Sequence, residues 1–538
     1  MKRSLTCALL ALLLTLTLTP TAAAAATGRY TDVPDQHWAA SYIETAAQYG
    51  IMEGMGDGRF GLGQSLRRSE FAALLCKLFQ WDTPQPQSLS FSDCPADAWY
   101  TPAVETLVSR GVLSAGGAFR PEEAITRQDM AILLVKALGY DQLALWAADL
   151  PSSFADVTEN KGYIAIAEDI GMVDGMTENG SRLFKPDSTA TREQAAAMMV
   201  RVCQRYRSDV DWLHAFYAVS SYSQIGLAAD LDGVSVGWAR LVVDEAGFPS
   251  VTGDDRDWKK PEDSALATDF FAAIGTDCNL TVYGSDPAAF LTEQARQACV
   301  SALVEAARGY AGLTMDVEGL KAASREAYTD LLTRLRAALP AEQTLYVCVQ
   351  PDTWFDGYDY RALGEVCDKV IVMAHDYEWS VPAYYVGTDK TENPGAPLTK
   401  IYDTLRDVTD PETGVADRSK LALAISIASV GFQVDEEGKI LSQTLYHPSP
   451  STVIRRLRQP DTQMGYYELY GTPYIYYTTE DGSRYRLWYE DARSVTAKIQ
   501  LARMFGIDGI SFWRLGNIPA YEDEGLYYDV WSAVLAQR

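Results

Sequence analysis

Ala311-Gly312-Leu313-Thr314-Met315-Asp316-Val317-Glu318 is a short apolar run that ends in two carboxylates. Its length and composition predict a buried strand. Side chains alternate along an extended chain, so Asp316 and Glu318 share one face at the strand end. Seven similar runs flank it: Leu213–Val219, Gly233–Trp238, Asn279–Tyr283, Thr344–Val349, Lys369–Ala374, Leu421–Ile427 and Ile507–Trp513. Stretches between them, such as Thr292–Ala307 and Ser324–Leu339, carry helical periodicity. Buried strands alternating with helices over residues 210–538 predict an α/β unit, a closed parallel TIM (β/α)8 barrel. Tyr474–Tyr489 alternates around Asp481-Gly482 and reads as a hairpin inserted between strands seven and eight.

In such a barrel the chemistry sits at the C-terminal strand ends. Strand four delivers Asp316 and Glu318 there. Strand six ends Val372-Met373-Ala374-His375-Asp376-Tyr377, and strand eight ends Ser511-Phe512-Trp513-Arg514-Leu515-Gly516. Paired carboxylates at an apolar mouth repel each other's charge. One is kept protonated as a general acid while the other stays ionised. An isolated Asp-x-Glu is more often a solvated turn, so the weight rests on the three strand ends together.

Upstream, a pattern recurs. Tyr30, Asp32, Trp38, Arg68 and Glu70 are echoed by Phe91, Asp93, Trp99, Arg127 and Asp129, then by Phe154, Asp156, Tyr163, Arg192 and Gln194. The opening Asp returns after 61 and then 63 residues. Each repeat reads as a helical hairpin, so this part is expected to be all-α in a multidomain chain. Phe71, Leu74, Leu75 and Leu78 form one amphipathic stripe, and Met130, Leu133, Leu134 and Ala137 another. Thr191 with Gln194 fits a helix capping box, and Thr126 with Asp129 nearly does. Such hairpins bury little alone, so the three should pack together. The expected boundaries are 28–88, 89–150 and 151–208.

Lys2 and Arg3, the apolar run Cys7–Leu18 and the small residues Ala22–Ala26 have the layout of a signal peptide, assigned to 1–26. The apolar run is short for a bilayer, and no membrane insertion is expected later. A net charge of −26 argues against nucleic acid and anionic lipid as partners. Seven cysteines follow the leader at scattered spacings, without a CxxC pair or zinc pattern, and read as buried apolar groups. No metal or cofactor is expected.

The recurring aromatic-x-Asp, the Trp, Gly117-Ala118-Phe119-Arg120-Pro121 and Thr126-Arg127-Gln128-Asp129 resemble the S-layer homology domain, over about residues 28–205. The resemblance implies attachment to a secondary cell-wall polysaccharide at the bacterial surface. It points to Arg68, Arg127, Arg192, Asp32, Asp93, Asp156, Trp38 and Trp99 as the polymer-binding set. A guanidinium fork at a helix start suits an anionic sugar polymer. A local cap or pair is the plainer role for each Arg. Repeat one departs from the pattern at Arg67 and at Gly61-Leu62.

Residues 211–536 resemble family 18 glycoside hydrolases, which include chitinases and peptidoglycan-hydrolysing N-acetylglucosaminidases. The family's Asp-Gly-x-x-x-Asp-x-Glu falls on 311–318, and its closing Trp-x-Leu-Gly on Trp513-Arg514-Leu515-Gly516. Trp488-Tyr489-Glu490-Asp491-Ala492-Arg493-Ser494 resembles the spore-germination and cell-wall branch. The resemblance implies a substrate-assisted mechanism on an N-acetylglucosamine-containing glycan. Glu318 would protonate the leaving oxygen and Asp316 orient the attacking acetamide. Asp376 and Tyr377 would complete the catalytic set, with Trp513, His375 and Met373 binding substrate. Two positions depart. The family's first Asp is Ala311, and the Tyr of its strand-six motif is His375. The Ala311 departure is expected to weaken support for Asp316. A barrel that binds glycan with little or no turnover is therefore the rival expectation.

Overall fold

The computed structural model describes residues 29–254, 259–351 and 355–538; the expected signal peptide lies outside them. The chain forms two compact units, one of residues up to 137 with 185–201, the other of 138–184 with 202–538.

In the first unit, helices Arg68–Leu78 and Arg127–Ala137 bury Phe71, Leu74, Leu75 and Met130, Leu133, Leu134, as the periodicity predicts. Three buried residues close a triangle of backbone bonds. Leu66 N donates to Ala190 O (3.0 Å), Ala190 N to Ile125 O (2.9 Å) and Ile125 N to Leu66 O (2.9 Å). Each strand-like step leads directly into a motif helix. Each cap forms by half: Asp129 N donates to Thr126 Oγ1 at 3.1 Å, and Thr191 N to Gln194 Oε1 at 3.2 Å. The departing Arg67 still works as a helix start, because its backbone N–H needs only Glu70 Oε2, 2.8 Å away.

The second unit contains the barrel. Its strands are β1 (Trp212–Tyr217), β2 (Gly233–Val243), β3 (Asp277–Gly284), β4 (Gly312–Val317), β5 (Thr344–Val349), β6 (Lys369–Val372), β7 (Leu421–Ser426) and β8 (Gly509–Trp513). All pair in parallel in chain order, and β8 pairs with β1 to close the ring. Each of the eight predicted runs contains most of one strand. The helix at Glu293–Ala306 starts on Thr292, whose hydroxyl accepts from Ala295 N. β4 is buried along its whole length, which a continuous apolar run in a helix-covered parallel sheet requires.

Between β7 and β8 the chain adds a four-stranded antiparallel sheet. The expected hairpin is its centre, with Thr472–Thr478 paired to Arg484–Trp488; Val430–Val434 and Gln463–Tyr467 flank it. The insertion is thus a small subdomain whose core around Phe432, Val434 and Trp488 is completed by Val381 from the segment after β6. Residues 138–184 also belong to this unit. Their helix Lys161–Asp169 meets the barrel helix Leu398–Val408, where Tyr402 donates its hydroxyl to Asp169. The all-α expectation fails there: Met176–Glu178 and Ser181–Leu183 pair as a short antiparallel ribbon around Gly180, which has φ +80°.

Candidate active site

Asp316 and Glu318 rise from the end of β4, and Glu318 N extends the ladder to Gly284 O of β3 at 2.9 Å. Asp316 is 4 % exposed, and its Oδ1 has no hydrogen-bond partner among the described residues. Burial and the Glu318 charge push its pKa up to about 7, against the pull of His375 and Cys348. Burial also raises Glu318, with Asp376 adding and His375 opposing. Both shifts favour the protonated form, the direction a general acid requires.

His375 and Asp376 follow β6. Asp376 has φ +60°, a left-handed backbone that is uncommon for a residue with a side chain and concentrates at functional sites. Its Oδ2 lies 3.0 Å from His375 Nδ1, an ion-pair distance without the angle of a hydrogen bond. Burial raises the Asp376 pKa, but His375 and His447 outweigh it and hold the carboxyl below its usual range. Trp513 meets Phe216 edge-on at 5.3 Å, and both belong to the apolar barrel interior with Met373, Cys348 and Tyr346, a cluster that reaches Trp212 at the start of β1.

Tyr377 goes elsewhere. Its hydroxyl shares a 2.6 Å hydrogen bond with Thr404 Oγ1 on the helix Leu398–Val408. Sequence reading missed Tyr283 and Tyr358, whose phenols both feel the charges of Asp316 and Glu318. Tyr358 donates to Val317 O (2.7 Å), while Gln350 Oε1 accepts from Gly319 N (2.8 Å), so both brace the turn after Glu318. The place of Tyr283 near the C-terminal end of β3, and of Tyr358 in the loop after β5, was the available signal. Ala311 precedes β4, at the opposite end from the carboxylates. Five residue steps separate it from Asp316, about 17 Å at 3.3 Å per residue. The expected direct support between these positions does not exist in this fold.

Under the mouth lies a buried polar chain. His214 Nδ1 is 2.8 Å from Ser511 Oγ, and its Nε2 is 2.8 Å from Ser235 Oγ. Ser235 Oγ in turn is 2.6 Å from Thr314 Oγ1. Burial, with Lys369 adding, pushes the imidazole down to about 3, so it is neutral at physiological pH.

In the first unit, Arg192 is 8 % exposed and donates to Phe60 O (2.9 Å) and Glu53 O (2.8 Å). Arg68 donates to Phe119 O (2.9 Å) and pairs with Asp129 at 2.6 Å. Each guanidinium also lies over the Phe ring it addresses. Arg127 N donates to Ser188 O. Asp32 accepts from Phe60, Gly61 and Leu62 N, and Asp93 from Phe119 and Arg120 N. In the other unit Asp156 accepts from Phe184 N. These carboxylates fasten the Gly-x-Phe turns, whereas Trp38 and Trp99 stand 55 % and 64 % exposed.

Residues 271–517 match the family model of glycosyl hydrolases family 18, and residues 29–72 and 90–131 match the S-layer homology domain. The match covers two of the three expected repeats. The cortical fragment-lytic enzyme of Bacillus subtilis (strain 168) is 27 % identical over 234 residues, 42 % of this chain and 51 % of that protein. The S-layer protein of Bacillus thuringiensis subsp. finitimus is 26 % identical over 196 residues, 36 % of this chain and 23 % of its own. The spore cortex-lytic enzyme SleL of Bacillus cereus superposes with a TM-score of 0.50 at 16 % identity, covering 73 % of this chain and 83 % of SleL, which is a likeness of fold. This chain spans about half the length or less of these curated relatives. The similarities place the chain with cell-surface proteins, and no helix among the described residues is long and apolar enough to cross a membrane.

Proposed function

We propose that this chain is a wall-attached glycosidase that cleaves β-1,4-linked N-acetylglucosamine glycans, in peptidoglycan or chitin-like polymers, by a substrate-assisted retaining mechanism. The carrying observation is the carboxylate pair of Asp316 and Glu318, both shifted toward the protonated form at the barrel mouth. Glu318 gives its proton to the glycosidic oxygen as the bond to the anomeric carbon breaks. The substrate's acetamide carbonyl attacks that carbon from the opposite face. Asp316 orients the acetamide N–H and balances the positive charge of the oxazolinium ion. Water, deprotonated by Glu318, then reopens the ring with retained configuration. The Trp513 ring offers an apolar face to the sugar, bordered by Met373. His375 faces both carboxylates and takes the place of a phenol as a donor to the acetamide. Tyr377, with its hydroxyl bound to Thr404, has a structural part instead.

For the repeats we propose wall-polysaccharide binding through three copies, the third at 151–208. The triangle of Leu66, Ile125 and Ala190 supports the count, since each repeat contributes one corner. Arg68 and Arg192 spend part of their donors on neighbouring turns, so exposed Trp38 and Trp99 carry more of the contact.

Digestion of N-acetylglucosamine oligomers and purified peptidoglycan by the mature protein tests the catalytic reading. The expected outcome is β-anomeric product by NMR, reduced about 10²-fold or more in Glu318→Gln while binding persists. Wild-type binding without product after days refutes turnover and leaves a glycan-binding barrel.

A further inference from the structure

The three repeats differ between the opening Asp and the first helix. That helix is nine residues long in each: Ala40–Gln48, Thr101–Ser109 and Lys161–Asp169. It starts eight residues after Asp32 and Asp93 but only five after Asp156. In the first two repeats the longer stretch winds through the same pair of turns. His37 N donates to Pro34 O and Ala40 N to His37 O, both at 2.9 Å; Ala98 N donates to Pro95 O and Thr101 N to Ala98 O, both at 3.1 Å. These turns hold Trp38 and Trp99 outward, 61 residues apart and more than half exposed. A single exposed aromatic is ordinary, but the same one held by the same turns twice is a repeated surface.

The third repeat is three residues shorter at this point, and Asn160, with φ +53°, leads straight into the helix. Tyr163, the expected counterpart of the Trp, is the third residue of that helix, level with Tyr42 and Ala103. It is buried and donates its hydroxyl to Asp141 Oδ1 at 2.5 Å. Gly162, level with Ser41 and Pro102, lets the helix press on Asp141–Trp146: a Cβ there would fall 1.8 Å from Ala144 O. At the other end Asp169, level with Gln48 and Ser109, receives the Tyr402 hydroxyl and lies 2.8 Å from Arg406 Nε. Both partners come from the barrel helix Leu398–Val408, and Trp146 meets the Tyr402 ring edge-on. Arg205 donates to Ile170 O and to Met504 O (2.7 Å), so one guanidinium ties the end of this helix to the end of the barrel helix Ala492–Met504.

We infer that the repeats divide their labour: Trp38 and Trp99 give the wall polysaccharide two equivalent aromatic contacts, and the third repeat spends its first helix on holding the barrel. Aromatic faces suit the C–H surface of the polymer's sugar rings. The third repeat completes the triangle through Ala190 and offers no third aromatic, while 138–184 works as part of the barrel unit. The inference rests on the reading of the repeats as a wall-polysaccharide binder.

The full chain tests it through pelleting with isolated cell walls and through hydrogen exchange. Trp38→Ala and Trp99→Ala should each weaken pelleting about fivefold or more and leave exchange unchanged. Asp169→Asn should leave pelleting within about twofold and speed exchange about fivefold or more in both Lys161–Asp169 and Leu398–Val408. Tyr402→Phe should do the same from the barrel side, and it keeps the ring's packing where Asp169→Asn folds poorly. Pelleting weakened by only one of the Trp variants, pelleting weakened by Asp169→Asn as by the Trp variants, or exchange unmoved by both Asp169→Asn and Tyr402→Phe overturns the inference. Wild type that does not pellet refutes the wall-binding reading as well; wild type that pellets with any of those results refutes the division of labour alone.

Discussion

Replacing His214 with Gln should change how the barrel responds to acid, by an amount that follows from its burial. His214 is neutral in the folded state because burial lowers its pKa from 6.5 to about 3. In the unfolded chain it titrates near 6.5. Below that value the unfolded state binds a proton that the folded state refuses. The stability this histidine contributes is thus complete above pH 6.5 and falls as pH drops toward 3. The loss approaches about 1.4 kcal/mol per pH unit, or about 2.7 kcal/mol at pH 4.5. Gln keeps one donor and one acceptor for Ser511 and Ser235 but does not titrate. At pH 7.5 the variant should be less stable, since an amide cannot span both hydroxyls as the imidazole does at 2.8 Å each. That deficit should shrink by about 2.7 kcal/mol between pH 7.5 and 4.5. Urea unfolding of both proteins across this range measures the difference. Raised carboxylates such as Asp316 titrate in both proteins and cancel. A wild-type-to-variant gap that stays constant with pH would falsify the neutral, buried assignment.

The other predictions concern separate parts of the molecule. Ala311→Asp should leave kcat within about twofold, because about 17 Å of strand separates it from Asp316; a tenfold rise in the hydrolysis rate would contradict this. Lys498 and Glu490 form a buried ion pair that Ser494 also joins at 2.6 Å. Lys498→Met leaves Glu490 unpaired and should cost about 3–5 kcal/mol in chemical unfolding; a loss under 1 kcal/mol would show that water reaches Glu490 instead. Arg192→Ala removes donors to Phe60 O and Glu53 O and should destabilise the first unit by about 1–3 kcal/mol. Trp38→Ala with Trp99→Ala should instead weaken pelleting with isolated cell walls and leave the melting temperature unchanged; the reverse pattern would reassign the two roles.

The barrel was legible because each strand is an apolar run of fixed length between helical stretches, and burial on both faces forces that composition. The insertion was legible only at its hairpin. Gln463–Tyr467 has no buried residue and is mixed in character, so nothing in its composition separates it from a loop. Asp316, Glu318 and Trp513 could be placed because strand ends in a barrel point to one mouth. Tyr377 could not, since alternation is useful only while the backbone stays extended. The left-handed turn at Asp376 breaks the parity and sends the next side chain outward to Thr404. The chain of Ser511, His214, Ser235 and Thr314 draws on four strands far apart in sequence. No local pattern encodes such a meeting.

Read from the motif alone, Ala311 counted against activity as much as His375 did. With Ala311 at the far end of β4, the residue one inward step below Asp316 is Thr314, already held by Ser235 and neutral His214. Support for Asp316 from beneath is therefore polar and uncharged, and its high pKa follows from burial and Glu318 above rather than from a missing partner below. The open question narrows to His375. An imidazole can donate to an acetamide as a phenol does, and this one faces Asp316, Glu318 and Asp376 together. His375→Tyr restores the phenol and removes the imidazole. Comparable activity with a changed pH profile would identify the imidazole as a working substitute. A large gain at every pH would identify it as the reason the wild-type barrel turns over slowly.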